Sequence, residues 1–195
     1  MITASRAGKN GLHLTHTKRS KDHDDPFVQN RDGTGMALFA SLVSIGNITD
    51  YQTNFAFVHH VFLMDTTFPG NSITYRAIES PFIQHAGYIF IIALETLTAL
   101  LCWLGGYKLW QALKGDNVAF RRAKKYAIAG LALGFLVWQV GFMSIGGEWF
   151  GMWMSKEWNG VPDASRFFTT LLLVLIYVVM SNDDLEADLE ADLEE

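Results

Sequence analysis

Apolar positions fall in four blocks, separated by polar and charged stretches. The longest runs from residue 86 to 106, and Glu95 is its one formally charged side chain. At 1.5 Å rise per residue, about 20 such residues cross a hydrocarbon core of about 30 Å. The block therefore predicts a transmembrane helix over about residues 84–107, with Glu95 near its centre. Ser80 and Pro81 suit the N-cap and first position of that helix. Residues 126–145 carry no formal charge and predict a span at about 126–146. The last block predicts one at about 164–181. The first, residues 36–48, is short: 13 residues give roughly 20 Å of helix. It spans only if flanking polar residues are included, at about 34–50. The competing reading is an interfacial or re-entrant segment.

The intervening stretches differ in kind. Residues 1–35 hold Arg6, Lys9, Lys18, Arg19, Lys21, Arg31 and three histidines without apolar periodicity, which predicts a disordered basic tail. Residues 50–80 are polar and aromatic. Phe55, Val58, Val61 and Phe62 recur at helical spacing, as in a short amphipathic helix at a membrane surface. Pro69, Gly70 and Asn71 predict a turn. A tryptophan-rich loop follows the third block, and residues 183–195 form an acidic low-complexity tail with a four-residue repeat.

Orientation follows from lysine and arginine. The first tail and residues 107–125 hold six each, whereas residues 50–80 hold Arg76 and residues 149–163 hold Lys156. Four spans place both tails on the side of the basic loop. The expected arrangement has both termini cytoplasmic, in the inner membrane, with two extracytoplasmic loops. Net charge, −5 over 195 residues, comes largely from the acidic tail. Mean hydropathy is only +0.16 because the tails dilute the apolar blocks. The single cysteine, Cys102, excludes an intrachain disulfide.

The order Asn47, Thr49, Asp50, Tyr51, Asn54, Phe57, His60, Met64, Asp65 resembles the signature of a bacterial family of predicted small integral membrane proteins, domain of unknown function 2165. The resemblance continues through Arg76, Glu79, Pro81, the Glu95 span, Gly146 to Phe150, Trp158 and Asn159. It covers roughly residues 36–182. It implies a multi-pass topology and carries over no catalytic residue and no cofactor.

Candidate chemistry centres on Glu95. A carboxylate at mid-membrane is costly, so it must face polar groups or stay neutral. Thr98 lies one turn away on the same face, and Gln139 at similar depth on the third span is an expected hydrogen-bond partner. The reading is a proton- or cation-coupling site; the alternative is a helix-joining hydrogen bond. The outer loops gather Asn47, Asp50, Asn54, His59, His60, Asp65, Glu79, His85, Glu148 and Trp149. A metal would need several of these to converge, and no fixed-spacing ligand motif is present. Gly130, Gly134 and Gly141 form a small-residue stripe for close helix approach. No phosphate loop, nucleophile elbow or nucleic-acid motif is present.

These readings converge on an all-α membrane protein, a four-helix transmembrane bundle with an extracytoplasmic loop cap. Its expected function is non-enzymatic: a small-solute or proton-linked carrier using Glu95. The alternatives are an accessory or anchor subunit, and a haem- or metal-binding redox protein. The expected company is the lipid bilayer, with a membrane-protein partner or a second copy, and no nucleic acid.

Overall fold

A computed structural model of the chain describes residues 26–113 and 117–179, with side chains from residue 33 and, in the second part, from residue 119. The described residues are helical throughout, apart from turns and short linkers, and contain no strand. Five helices carry the architecture: α1 (Pro26–Thr49), α2 (Tyr51–Leu63), α3 (Pro81–Ala112), α4 (Asn117–Leu136) and α5 (Val161–Val179). Beyond Leu136 the chain stays helical but widens into a π-helix, Val137–Trp149. Three helices are long and apolar enough to cross a membrane: Pro81–Ala112, Ala119–Trp149 and Val161–Val179, with mean hydropathies of 1.9, 1.9 and 1.5. The apolar part of α1, Gly33–Thr49, is shorter.

Helix α1 opens at Pro26, inside the stretch expected to be tail. Proline is tolerated at a first helical position because its missing N–H has no intrahelical partner there. Helix α4 likewise opens at Asn117, so the basic residues 121–125 lie on a helix rather than in a loop. Arginine, lysine and alanine are good helix formers, which extends the helix beyond its apolar part. The acidic tail and most of the basic tail lie outside the described residues.

Helices α1 and α4 both pack along α3, and α5 packs on α4 and its π-helical continuation. Between α3 and α4 the backbones come very close. A Cβ at Gly105 would lie 2.4 Å from the Ala127 nitrogen, and one at Gly130 would lie 2.8 Å from the Cys102 nitrogen. Only the missing side chains permit this approach. Phe39 of α1, Trp138 of the π-helix and Phe167 of α5 meet as an aromatic triad, with centroids 5.0 to 5.9 Å apart.

The polar-aromatic segments gather at the ends of the long helices where α1 stops and α3 starts. Helix α2 ends on Met64 in the left-handed region (φ 54°), whose N–H returns to the His60 carbonyl at 3.0 Å. A 3₁₀ turn, Thr74–Arg76, leads toward α3. Gly151 (φ 64°) turns the chain out of the π-helix, a conformation that glycine adopts without strain. Phe62 then packs on Phe150 at 5.0 Å and His60 stacks on Trp158 at 4.6 Å. At the start of α5 a side chain satisfies a free backbone donor: the Asn159 side-chain oxygen accepts from the Val161 N–H at 3.1 Å.

Candidate functional site

The buried face of α3 is its most polar one. Gln84, Tyr88, Glu95, Thr98, Cys102, Gly105 and Gly106 point inward, while Phe82, Ile89, Phe90, Leu97 and Leu100 point out. A helix surrounded by lipid gains by exposing its large apolar side chains and hiding polar and small ones. Glu95, 1% exposed, sits midway along the helix on this inward face.

Its partner comes from α1. The Asn47 side-chain amide donates to a Glu95 carboxyl oxygen at 2.7 Å. Asn47 in turn accepts from the Tyr88 hydroxyl, at 3.1 Å on its backbone carbonyl and 3.3 Å on its side-chain oxygen. Two further bonds run down the same seam: Ser44 with Thr96 at 2.6 Å, and the Trp103 indole N–H to the Ser41 hydroxyl at 2.9 Å. Residues 41, 44 and 47 are three apart, which keeps them on one face of α1. The seam is thus an antiparallel ladder of polar pairs.

Toward the start of α3 the polar groups continue. The Tyr88 ring packs on the Tyr51 ring at 4.8 Å. The Tyr51 hydroxyl and the His85 Nδ1 share a hydrogen bond of 2.8 Å, and the Phe55 ring stacks on the His85 ring at 3.9 Å. Beside them, His59 Nδ1 pairs with the Gln84 side-chain oxygen at 2.7 Å. Gln84, itself buried, donates to the Ile78 carbonyl at 2.7 Å. Glu95 and His85 are ten residues apart, about 15 Å along the helix.

Neither group expected beside Glu95 bonds to it. Thr98 is fully buried, but its hydroxyl donates to the Leu94 carbonyl one turn back, at 2.9 Å. Gln139 forms no hydrogen bond with Glu95; its backbone carbonyl accepts from the Ser144 hydroxyl at 3.1 Å. The physical reason is the π-helix that begins at Val137. Its wider turn shifts every later side chain away from the direction an α-helix would give. The same winding affects the glycine stripe. Gly130 lies against Cys102, and Gly134 against Thr98 and Leu171, but Gly141 faces open space.

The outer polar residues separate into pairs. His60 Nδ1 meets Asp65 at 2.8 Å, with both side chains partly exposed. Asn54 donates to the Asp50 carbonyl at 3.0 Å and holds the joint between α1 and α2. Glu79 and Glu148 are exposed. The Trp149 carbonyl accepts from Arg76 at 3.1 Å, and its ring carries the Arg76 guanidinium at 4.6 Å. Among the described residues, no three His, Cys, Asp or Glu side chains form a group suited to a metal.

Ser44, Thr96, Gln84 and Tyr88 lie outside the set expected from the sequence, and Tyr51 entered it only through the family resemblance. The signal that could have found those on α3 was helical spacing: Gln84, Tyr88, Glu95 and Thr98 are polar positions on one face of an otherwise apolar helix.

Three apolar helices of spanning length, of which α3 turns its polar face inward and its large apolar side chains out, define an integral membrane protein whose outer surface contacts lipid. Residues 33–181 match the family described as predicted small integral membrane protein (DUF2165), and the chain belongs to that family. Neither the curated proteins nor the solved structures contain a match to it.

Proposed function

We propose that the chain is a four-span carrier in which Glu95 is the proton- or cation-linked group. Helix α1 is the first span, completed by the polar pairs it makes with α3. Both termini face the cytoplasm of a bacterial inner membrane, and α2 with residues 150–160 caps the opposite side. The observation that carries this reading is the placement of Glu95. It is a buried carboxyl at mid-helix, linked through Asn47 to Tyr88 and followed by Tyr51 and His85 toward the helix start. These are groups that accept and release protons or relay hydrogen bonds.

The test is proton flux in proteoliposomes. Purified protein is reconstituted around a pH-sensitive dye, and a potassium diffusion potential is imposed. Flux in the wild type that disappears in Glu95→Gln, with unchanged protein abundance, supports the carrier. Flux that survives the substitution refutes it. Loss of abundance alone makes Glu95 a helix-joining residue. A second reading, an accessory subunit docking through its cap, is favoured by Trp149 and Trp153, which are 52% and 47% exposed. It predicts a co-purifying partner that Trp153→Ala releases.

A further inference from the structure

The π-helix has a second consequence, independent of Glu95. Between α3, the π-helix and α2 lies a cleft of about 420 Å³. Its lining includes Gly87, Leu94, Leu133, Gly141, Gly146 and Phe150, and every lining residue is apolar or glycine. The volume falls in the range of small-molecule sites, about 300–1,000 Å³, but the polar orienting groups typical of such sites are missing. Phe90, Leu136, Val140 and Ile145 also border it and are exposed on the outer surface, so the cleft opens sideways toward lipid. It runs from the depth of Leu94 to Phe150 at the capped end.

The chemistry changes at that end. Arg76 is held on Trp149, the residue next to the lining Phe150. Its guanidinium faces aromatic rings and a carbonyl, and no carboxylate pairs with it among the described residues. The other arginine described near this end, Arg166, is paired with Asp163. A long apolar slot beside an arginine without a carboxylate partner is complementary to one molecular class, a chain with an anionic head. We propose that the cleft binds one acyl chain of an anionic phospholipid and that Arg76 holds its phosphate. The π-helix makes the site: it leaves Gly141 with nothing within 4 Å of a would-be Cβ, where an α-helix would have kept the residue on its packing face.

The test is native mass spectrometry of the full chain, delipidated in detergent and titrated with phosphatidylglycerol or phosphatidylcholine of identical acyl chains. The wild type is expected to retain one lipid, with phosphatidylglycerol preferred about fivefold, the attraction one basic side chain gives an anionic headgroup. Gly141→Leu, which fills the cleft, is expected to lower retention of both lipids about tenfold, the effect of overpacking a filled site. Gly141→Ala adds one methyl to open space and is expected to keep binding. Arg76→Gln is expected to abolish the preference, because it lowers phosphatidylglycerol retention about fivefold and retention of the zwitterionic phosphatidylcholine by less. Wild-type retention in Gly141→Leu overturns the cleft as the site and leaves annular lipid only. An undiminished preference in Arg76→Gln overturns the headgroup contact. That arm decides the proposal even where Gly141→Leu does not fold.

Discussion

Replacing Gly105 with alanine is expected to force α3 and α4 apart. The new methyl would lie 2.4 Å from the Ala127 nitrogen and 2.6 Å from its Cα. Non-bonded carbon contacts settle at about 3.5–4.0 Å, so the two backbones must separate by roughly 1 Å. A gap of that size removes about a quarter to a half of each dispersion contact along the seam. Overpacking of this kind costs about 1–3 kcal/mol. Alanine returns about 1 kcal/mol through its better helix propensity. The difference runs up to about 2 kcal/mol, and the upper end is expected because the methyl meets backbone atoms that no side-chain rotation can clear. Gly130→Ala should behave alike, because its methyl would meet Cys102 at 2.7 Å and 2.8 Å. Gly141→Ala is the control: with open space around it, its stability should stay level or rise by up to about 1 kcal/mol. The assay is reversible unfolding in mixed micelles with a denaturing detergent, followed by tryptophan fluorescence. A Gly105→Ala protein as stable as the wild type, or a Gly141→Ala protein that loses as much, would refute the close-approach argument.

A double-mutant cycle between Asn47→Ala and Glu95→Ala, read by the same unfolding assay, should give a coupling of about 0.6–2 kcal/mol, the range for interhelical hydrogen bonds in membranes. Additive effects would mean the two side chains do not interact. Trp138→Ala removes ring pairs to Phe39 and Phe167 and should cost about 1–3 kcal/mol, at about 0.5–1.5 kcal/mol per pair. A change below about 0.5 kcal/mol, less than one such pair, would place the triad outside the stabilising core. Asp163→Asn breaks an exposed ion pair with Arg166 and should shift stability by less than about 1 kcal/mol.

The three long apolar helices could be read from the chain because length and hydropathy report directly on membrane crossing. Pro81 marked the start of α3, and the central position of Glu95 followed from counting residues. The partners of Glu95 were less accessible. Asn47 lies 48 positions away on another helix, and nothing in a local pattern states which faces will meet. Gln139 was the natural candidate only while the third span was taken as an α-helix throughout. Thirteen residues of π-helix carry no sequence mark comparable to a proline or a glycine cap, so the rotation of Gln139 and Gly141 had no legible signal. Gly105 was visible as part of a glycine pair, but its closeness to Ala127 depends on how two helices cross.

The ladder of Ser41, Ser44 and Asn47 against Trp103, Thr96 and Glu95 also bears on how the chain is made. On the four-span reading, α1 leaves the ribosome before α3 and is the helix least able to settle in lipid alone. Its apolar part, Gly33–Thr49, is short, and Ser44 and Asn47 bond to side chains that are synthesised later. Helix α3 then emerges with the matching groups, including the carboxyl that is equally unwelcome in hydrocarbon. Each helix therefore completes the insertion of the other. On that reading a chain stalled before α3 would leave α1 at the membrane surface or in the hands of the insertion machinery, and the pairing of the two would commit both to the bilayer.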